Sequence, residues 1–282
     1  MRKLFILIHN NEPDRLQYAR SIFNRIAETV PGSECLEVST SPRNRRITLR
    51  DSFRYFFSFF HFLKFQKLWT NQLSDISLNN AVRTRVLGFS VPYFRHFFTG
   101  GFLTKIRTLR RSFESARSVI DLNARHLVCH RIFEKSNAEL LFIFESDFIV
   151  NDESEFFEFL KFTEADVSFD LLNICNHFSL SEMGLNVRDL RAQDFRIRGV
   201  NCFLHQFSYV NTTCALGFSR QISQAILKFP NSIFTEYWPI DWNYNYRLCH
   251  VQGRFQVIDV GQTLVLNGSQ IGRYTSTVQG PA

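Results

Sequence analysis

The stretch that decides the fold runs from Ala138 to Asp152: Ala-Glu-Leu-Leu-Phe-Ile-Phe-Glu-Ser-Asp-Phe-Ile-Val-Asn-Asp. Its apolar part, Leu140–Phe144, is short and uninterrupted, the pattern of a buried strand. It breaks off in Glu145-Ser146-Asp147. Side chains alternate along an extended backbone, so two carboxylates one residue apart are expected to point the same way. Like charges so placed repel unless a cation neutralises them. Oxygen ligands suit a hard divalent ion such as Mg2+ or Mn2+. In an open α/β sheet the carboxyl ends of strands are also where ligands bind. Glu145 and Asp147 are therefore candidate metal ligands. The same residues equally suit a plain turn into the next helix, because Asp152 followed by Glu155 is a helix-start pattern.

Working outward, Leu4–Ile8 reads as a first strand and Asn11-Glu12-Pro13-Asp14 as a turn and helix start. Leu16, Ala19, Ile22, Phe23 and Ile26 recur at helical spacing, Pro31-Gly32 ends that helix, and Glu34–Val38 reads as a second strand. This β-α-β opening predicts an α/β fold with a doubly wound sheet. Ile106–Lys135 is a long helical region, of one helix or two, leading into Leu140–Phe144. Asp152–Phe162 reads as a helix, Asp170–Ile174 as a strand, and residues 179–201 as a polar, irregular loop. Asn211–Phe218 is strand-like, Gln221–Leu227 a short helix, and Phe255–Val260 and Thr263–Leu266 are strand-like again. Asn267–Tyr274 reads as loop.

Of the 282 residues, 45% are hydrophobic, which predicts a folded core and excludes global disorder. The net charge of +7 is unevenly placed. Residues 43–125 hold 16 Lys and Arg against four Asp and Glu, and the rest of the chain holds 17 against 22. Such a basic region suits phosphate: a membrane surface, a lipid diphosphate or nucleic acid. A solvated basic face with no partner fits the composition too. Ser52–Trp69 interleaves seven Phe with Arg54, Ser58, His61, Lys64 and Lys67, as an amphipathic helix does. It reads either as an interfacial membrane helix or as a core helix covering the sheet. Six Cys without a Cys-x-x-Cys spacing suggest free thiols in a reducing cytoplasm rather than zinc or disulfides. Leu4–Ile8 is too short for a secretory signal, and no apolar run approaches the ~18 residues of a membrane span.

Several separated stretches fall into one order. Pro13-Asp14-Arg15 follows the first strand; Arg125-His126 lies nineteen residues before Glu145-Ser146-Asp147; Cys214–Arg220 ends in Ser-Arg and opens a helix. Pro239-Ile240-Asp241-Trp242 and then Gly268-Ser269-Gln270 complete the series. In that order the chain resembles the lipooligosaccharide galactosyltransferase family, glycosyltransferase family 25, which also includes collagen-type galactosyltransferase domains. The matches span about half the chain (by the residues quoted above). Two departures stand out: Ser146 occupies the middle of the family's acidic triplet, and Arg125 replaces the family's Ser before the His.

The resemblance implies a GT-A-like, Rossmann-related α/β fold, with a mixed, mostly parallel sheet flanked by helices. The whole chain, 1–282, would be one such domain, with residues 40–110 a basic, Phe-rich helical insertion. It further implies an enzyme, a hexosyltransferase-like glycosyltransferase that moves a sugar from a nucleotide sugar, most simply a UDP-sugar, with inversion and metal assistance. Glu145 and Asp147 would hold Mn2+ or Mg2+. Asp241 is the candidate base, with Glu236 in reserve, although capping the next helix is also what an Asp there does. Asp14, Arg15, His126, Ser269 and Arg273 are candidates for contact with the donor. Tyr237, Trp238 and Trp242 suit either sugar stacking or core packing. The expected acceptor is a glycan or glycolipid of lipopolysaccharide or capsule synthesis, with the protein in the cytoplasm or peripheral on the inner face of the membrane. Nucleic acid is the less favoured partner. The rival expectation is a catalytically inactive transferase-like protein that binds a membrane surface or nucleic acid.

Overall fold

The computed structural model describes residues 1–10, 12–39, 54, 57–58, 61, 64, 102–175, 193–205, 210, 212–229, 235–238, 240–249, 251, 256–261, 263–269 and 271–274. Most of the 40–110 insertion, including the basic Pro42–Arg46 run and most of the Phe-rich segment, lies outside the described residues, as does most of the expected 179–201 loop.

The chain opens with β1 (Lys3–His9), buried along its whole length, and α1 (Pro13–Thr29), with Pro at its first position. The apolar stripe Leu16, Ala19, Ile22, Phe23 and Ile26 is buried, as its spacing predicts. β2 (Ser33–Ser39) then pairs parallel with β1. A single long helix, α2 (Phe102–Lys135), precedes β3 (Leu140–Glu145), which pairs parallel with the other edge of β1. After β4 (Phe148–Val150), α3 (Glu153–Leu160) starts at Asp152, whose side chain accepts a hydrogen bond from the Glu155 N–H. The remaining elements are β5 (Leu171–Asn173), β6 (Gln193–Ile197), β7 (Val200–His205), β8 (Ala215–Ser219), α4 (Arg220–Lys228), α5 (Ile240–Cys249), β9 (Val257–Val260) and β10 (Val265–Asn267).

Eight strands form one sheet in the order β2-β1-β3-β8-β5-β9-β7-β6, while β4 and β10 make a separate two-stranded ribbon. The sheet is mixed, but it is not mostly parallel. Only the β1–β2, β1–β3 and β5–β9 pairings are parallel; the other four are antiparallel. The difference arises because β8 runs backwards between β3 and β5, and because β6 and β7 form a hairpin at the edge. That hairpin replaces residues 193–201 of the expected loop. Its turn is Arg198-Gly199, both with positive φ (47° and 89°), the backbone that matches strand twist in a tight hairpin.

Each sheet face carries its own apolar core. Leu16, Phe23, Phe142, Phe144 and Phe156 join α1 and α3 to one face. Cys129, Phe133, Ile222, Ile226, Tyr244 and Leu248 join α2, α4 and α5 to the other. Aromatic contacts dominate the first: Phe5 stacks on Phe142 at 4.7 Å, and Phe144 meets Phe148 at 5.1 Å and Phe156 at 6.1 Å. Burying each such ring stabilises the fold by about 1.5–3 kcal/mol. Among the described residues, no helix is long and apolar enough to cross a membrane. Cys35, Cys129, Cys175, Cys202 and Cys214 are free thiols. Burial pushes the thiols of Cys35 and Cys202 up to about 12, so they are poor nucleophiles.

Candidate functional site: an acidic pair at the sheet rim

The parallel strands β1 and β3 end at the same rim, where Ile8 pairs with Glu145. Because β8 is antiparallel, its leading segment Thr212–Cys214 arrives at that rim from the opposite direction, and the Glu145 N–H donates to the Cys214 carbonyl at 3.0 Å. At Glu145 the chain leaves the sheet. Ser146 and Asp147 form a turn, and β4 starts the ribbon with β10. Asp147 thus reaches Glu145's neighbourhood by a turn, not by strand alternation. The ribbon also brings the chain's last described segment back over the acidic residues.

Glu145 is held at one oxygen. Its Oε1 accepts the Thr213 hydroxyl at 2.5 Å and lies 3.2 Å from His126 Nε2. No hydrogen bond to its Oε2 occurs among the described residues. Asp147 Oδ2 accepts the Ser269 hydroxyl at 2.6 Å, while Oδ1 accepts from the Cys214 thiol at 3.9 Å. The Gly268 N–H donates to the Asp147 carbonyl at 2.7 Å. Burial first, and the Glu145 charge second, push the Asp147 carboxyl up to about 6, against the pull of Ser269 and of Arg15.

Two arginines flank the pair. Arg15, on the buried side of α1, pairs with Glu12 at 2.7 Å and lies 5.1 Å from the Tyr274 ring centre. Arg125, on α2, donates to the His9 carbonyl at 3.3 Å and to Asn10 Oδ1. Burial holds the Arg125 guanidinium below its usual range, while Asp121 and Glu145 pull the other way. Arg273 is exposed, its guanidinium 5.6 Å from the Tyr18 ring and 5.9 Å from Tyr274. Asp14 is exposed in the first turn of α1, where its charge suits the helix dipole, and it does not share Arg15's buried side.

The second half of the site comes from α2 and α5. Asn123, His126 and His130 recur at helical spacing on one buried face of α2. Asn123 Nδ2 grips the carbonyls of Glu236 and Trp238, at 3.0 and 2.9 Å. This fixes the short 3-10 turn Thr235–Tyr237 that leads into α5. Glu236 and Asp241 are both half-buried, Asp241 in the first turn of α5. Tyr244, one turn after Asp241, contacts His126 Nδ1 at 3.0 Å. Trp238 is buried, bonds the Ser58 carbonyl through Nε1 at 3.2 Å, and packs edge-on against His61 and Tyr246. It is therefore a packing residue.

The structure brings Glu145, Asp147, His126, Ser269 and Arg15 together. Arg273 lies beside them across Tyr274, while Glu236 and Asp241 lie on the segment that Asn123 and Tyr244 tie to α2 and are not brought into contact with the acidic pair by any interaction seen among the described residues. Thr213, His130 and Tyr244 belong to the site and had gone unremarked in the sequence. The i, i+4 pair His126 and His130 was the available signal. A separate buried trio lies deeper in the sheet: Asp259 accepts from Asn173 Nδ2 at 2.6 Å and meets His205 Nε2 at 2.6 Å, tying β5, β9 and β7. An open groove of about 570 Å3 runs along Pro13, Gln17, Arg20 and Asn24 of α1, and neither acidic residue lines it.

The donor set decides which cation the rim suits. No group of three or more His, Cys, Asp or Glu side chains suited to a metal occurs among the described residues. Two carboxylates, one of which has an oxygen (Glu145 Oε2) without a hydrogen bond among the described residues, fit an ion that keeps waters and takes ligand phosphates, as Mg2+ does and as Mn2+ with oxygen ligands can. They do not fit a closed structural zinc centre. Comparison with known protein families finds no match, and no curated protein matches the chain.

Proposed function

We propose that the protein is a GT-A-like, metal-assisted, inverting glycosyltransferase acting on a nucleotide-sugar donor. The observation that carries this reading is the Glu145–Asp147 pair at the rim of β3. Its charges act on each other, two arginines flank it, and Ser269 closes over it. A partly buried like-charged pair is a poor choice for stability alone. It suits a site where a divalent cation and a diphosphate complete the charge balance.

Glu145 and Asp147 would hold Mn2+ or Mg2+, which supplies neutralisation of the charge that grows on the departing diphosphate. Arg15 and Arg125 present fixed positive charge to the same oxygens. Asp241 takes the proton from the acceptor hydroxyl. That oxygen then attacks the anomeric carbon as the bond to the diphosphate breaks, and a nucleoside diphosphate leaves. Glu236 is the alternative base. Gly268 and Ser269 hold the Asp147 side of the pair through a backbone N–H and a hydroxyl.

The expected acceptor remains a glycan or glycolipid of surface polysaccharide synthesis, reached from the cytoplasmic side. One observation favours a membrane-facing role: Phe57 is 56% exposed, whereas Ser58 and His61 of the same segment pack against Trp238. That feature would also serve the rival, a transferase-like protein without activity that binds anionic surfaces. The deciding experiment incubates the protein with a panel of UDP-sugars, with Mn2+ and with chelator. Metal-dependent release of UDP supports the enzyme. Vesicle binding that survives Glu145→Ala with Asp147→Ala, and no UDP release from any donor, supports the rival.

A further inference from the structure

The hydrogen bonds at the rim do not stop at Glu145. Its partner His126 offers Nδ1 to the Tyr244 hydroxyl at 3.0 Å; that hydroxyl is 2.9 Å from His130 Nε2, and His130 Nδ1 is 2.8 Å from Ser223 Oγ on α4. His126 and His130 are 0% exposed, and Tyr244 and Ser223 1%. The line crosses the whole helical layer, from the sheet through α2 and α5 to α4.

With an ionised carboxylate and neutral imidazoles, only one proton arrangement satisfies every contact. A carboxylate accepts only, so His126 carries its proton on Nε2 and its Nδ1 accepts from Tyr244. A phenol has one proton, so the Tyr244 oxygen accepts from His130 Nε2–H, and His130 Nδ1 accepts from Ser223. Every donor therefore points toward Glu145. Burial holds the His130 imidazole well below its usual range, in keeping with a neutral ring. Ring packing fixes the orientations: Tyr244 meets His126 and His130 edge-on at 5.6 and 5.7 Å, and His130 meets Phe218 at 4.8 Å.

Resting on the reading of the rim as a metal site, we infer that Tyr244, His130 and Ser223 are positioning residues for Glu145. They fix the His126 tautomer that anchors Oε1 and so set the aim of the cation-binding oxygen. Direct hydrogen-bond partners of a metal ligand tune its affinity by about 10–100-fold, and Tyr244, His130 and Ser223 act through such a partner, His126. A purely structural network would end on any acceptor. This one ends on the carboxylate oxygen that Thr213 also holds, opposite the oxygen without a hydrogen bond among the described residues.

The experiment has two arms on the full chain. Nitrogen-15 NMR of the metal-free protein reads the ring tautomers directly, and both His126 and His130 are expected as Nε2–H forms. Manganese binding is then followed by electron paramagnetic resonance of free Mn2+ for wild type, Glu145→Gln, Tyr244→Phe and Ser223→Ala, with thermal melts alongside. Tyr244→Phe keeps the ring packing, and Mn2+ affinity is expected to fall about 10–100-fold, with a smaller loss in Ser223→Ala. A neutral ring protonated on Nδ1 would overturn the inference. So would variants that melt earlier yet bind Mn2+ as wild type does. A wild type that ignores Mn2+ would instead overturn the metal reading itself, and this role with it.

Discussion

Asp147 shows at the scale of one side chain how the site departs from what stability favours. Its carboxyl, ordinarily near 3.8, stands at about 6 because burial and Glu145 both disfavour its charge. Between those values the unfolded chain releases the proton while the folded chain retains it. The folded state therefore loses stability as pH rises through that window, by about 2–3 kcal/mol in total. Asp147→Asn keeps an acceptor for Ser269 and removes the charge. In chelator above pH ~6 it is expected to raise the unfolding free energy by about 2 kcal/mol, measured by urea denaturation, while abolishing any stabilisation by metal. Lys3 is the mirror case. It is buried, with Nζ donating to the carbonyls of Leu160 and Phe162 at 2.5 and 2.6 Å. Burial, followed by Arg198, lowers it from 10.5 to about 8. The unfolded chain holds the extra proton between those values, so stability contributed here rises with pH from about 8 to 10.5. In Lys3→Met that rise is expected to be absent, so it should appear as a pH-dependent difference between the wild-type and variant denaturation series.

At the scale of the element, the ribbon β4–β10 and the helix α5 do the positioning. Gly268 must be glycine: a Cβ there would lie 2.5 Å from Tyr274 Cδ2 and 2.7 Å from the Asp147 carbonyl. Gly268→Ala is expected to push the Ser269 segment off Asp147. UDP affinity in Mn2+ should fall at least tenfold by titration calorimetry, an order-of-magnitude expectation for a displaced binding loop, with a small change in melting temperature. On α5, Asp241 stands one turn before Tyr244, whose hydroxyl is tied to α2. Asp241→Asn is expected to lower kcat by about 100-fold or more with KM for the donor little changed, the pattern of a lost base. An unaltered kcat would remove Asp241 from that role. Sequence patterns foretold these elements unevenly. The α1 stripe, the Asp152 cap and the β3 run were legible because period and capping are local. The reversed direction of β8 was not, since a strand's apolar pattern reads the same both ways. The β6–β7 hairpin was missed because β6 is an edge strand with exposed Gln193, Asp194 and Arg196, which reads as loop.

Across the whole molecule, the rim gathers residues far apart in the chain, and this sets what sequence can show. Glu145 and His126, nineteen residues apart, were visible through motif and spacing. Tyr244 and Ser223 were not, since they meet the α2 histidines across separations of 118 and 93 residues that no local pattern encodes. The same assembly defines the central claim: the rim carboxylates hold a cation that in turn holds a nucleotide diphosphate. Thermal melting with UDP, with Mn2+ and with both tests it most directly. The account predicts a stabilisation of about 2–4 kcal/mol, several degrees, only when both are present in large excess over their dissociation constants. It also predicts that Glu145→Ala with Asp147→Ala erases this gain without unfolding the protein. A melting temperature indifferent to UDP and Mn2+ together, or a gain that persists in the double variant, would contradict it.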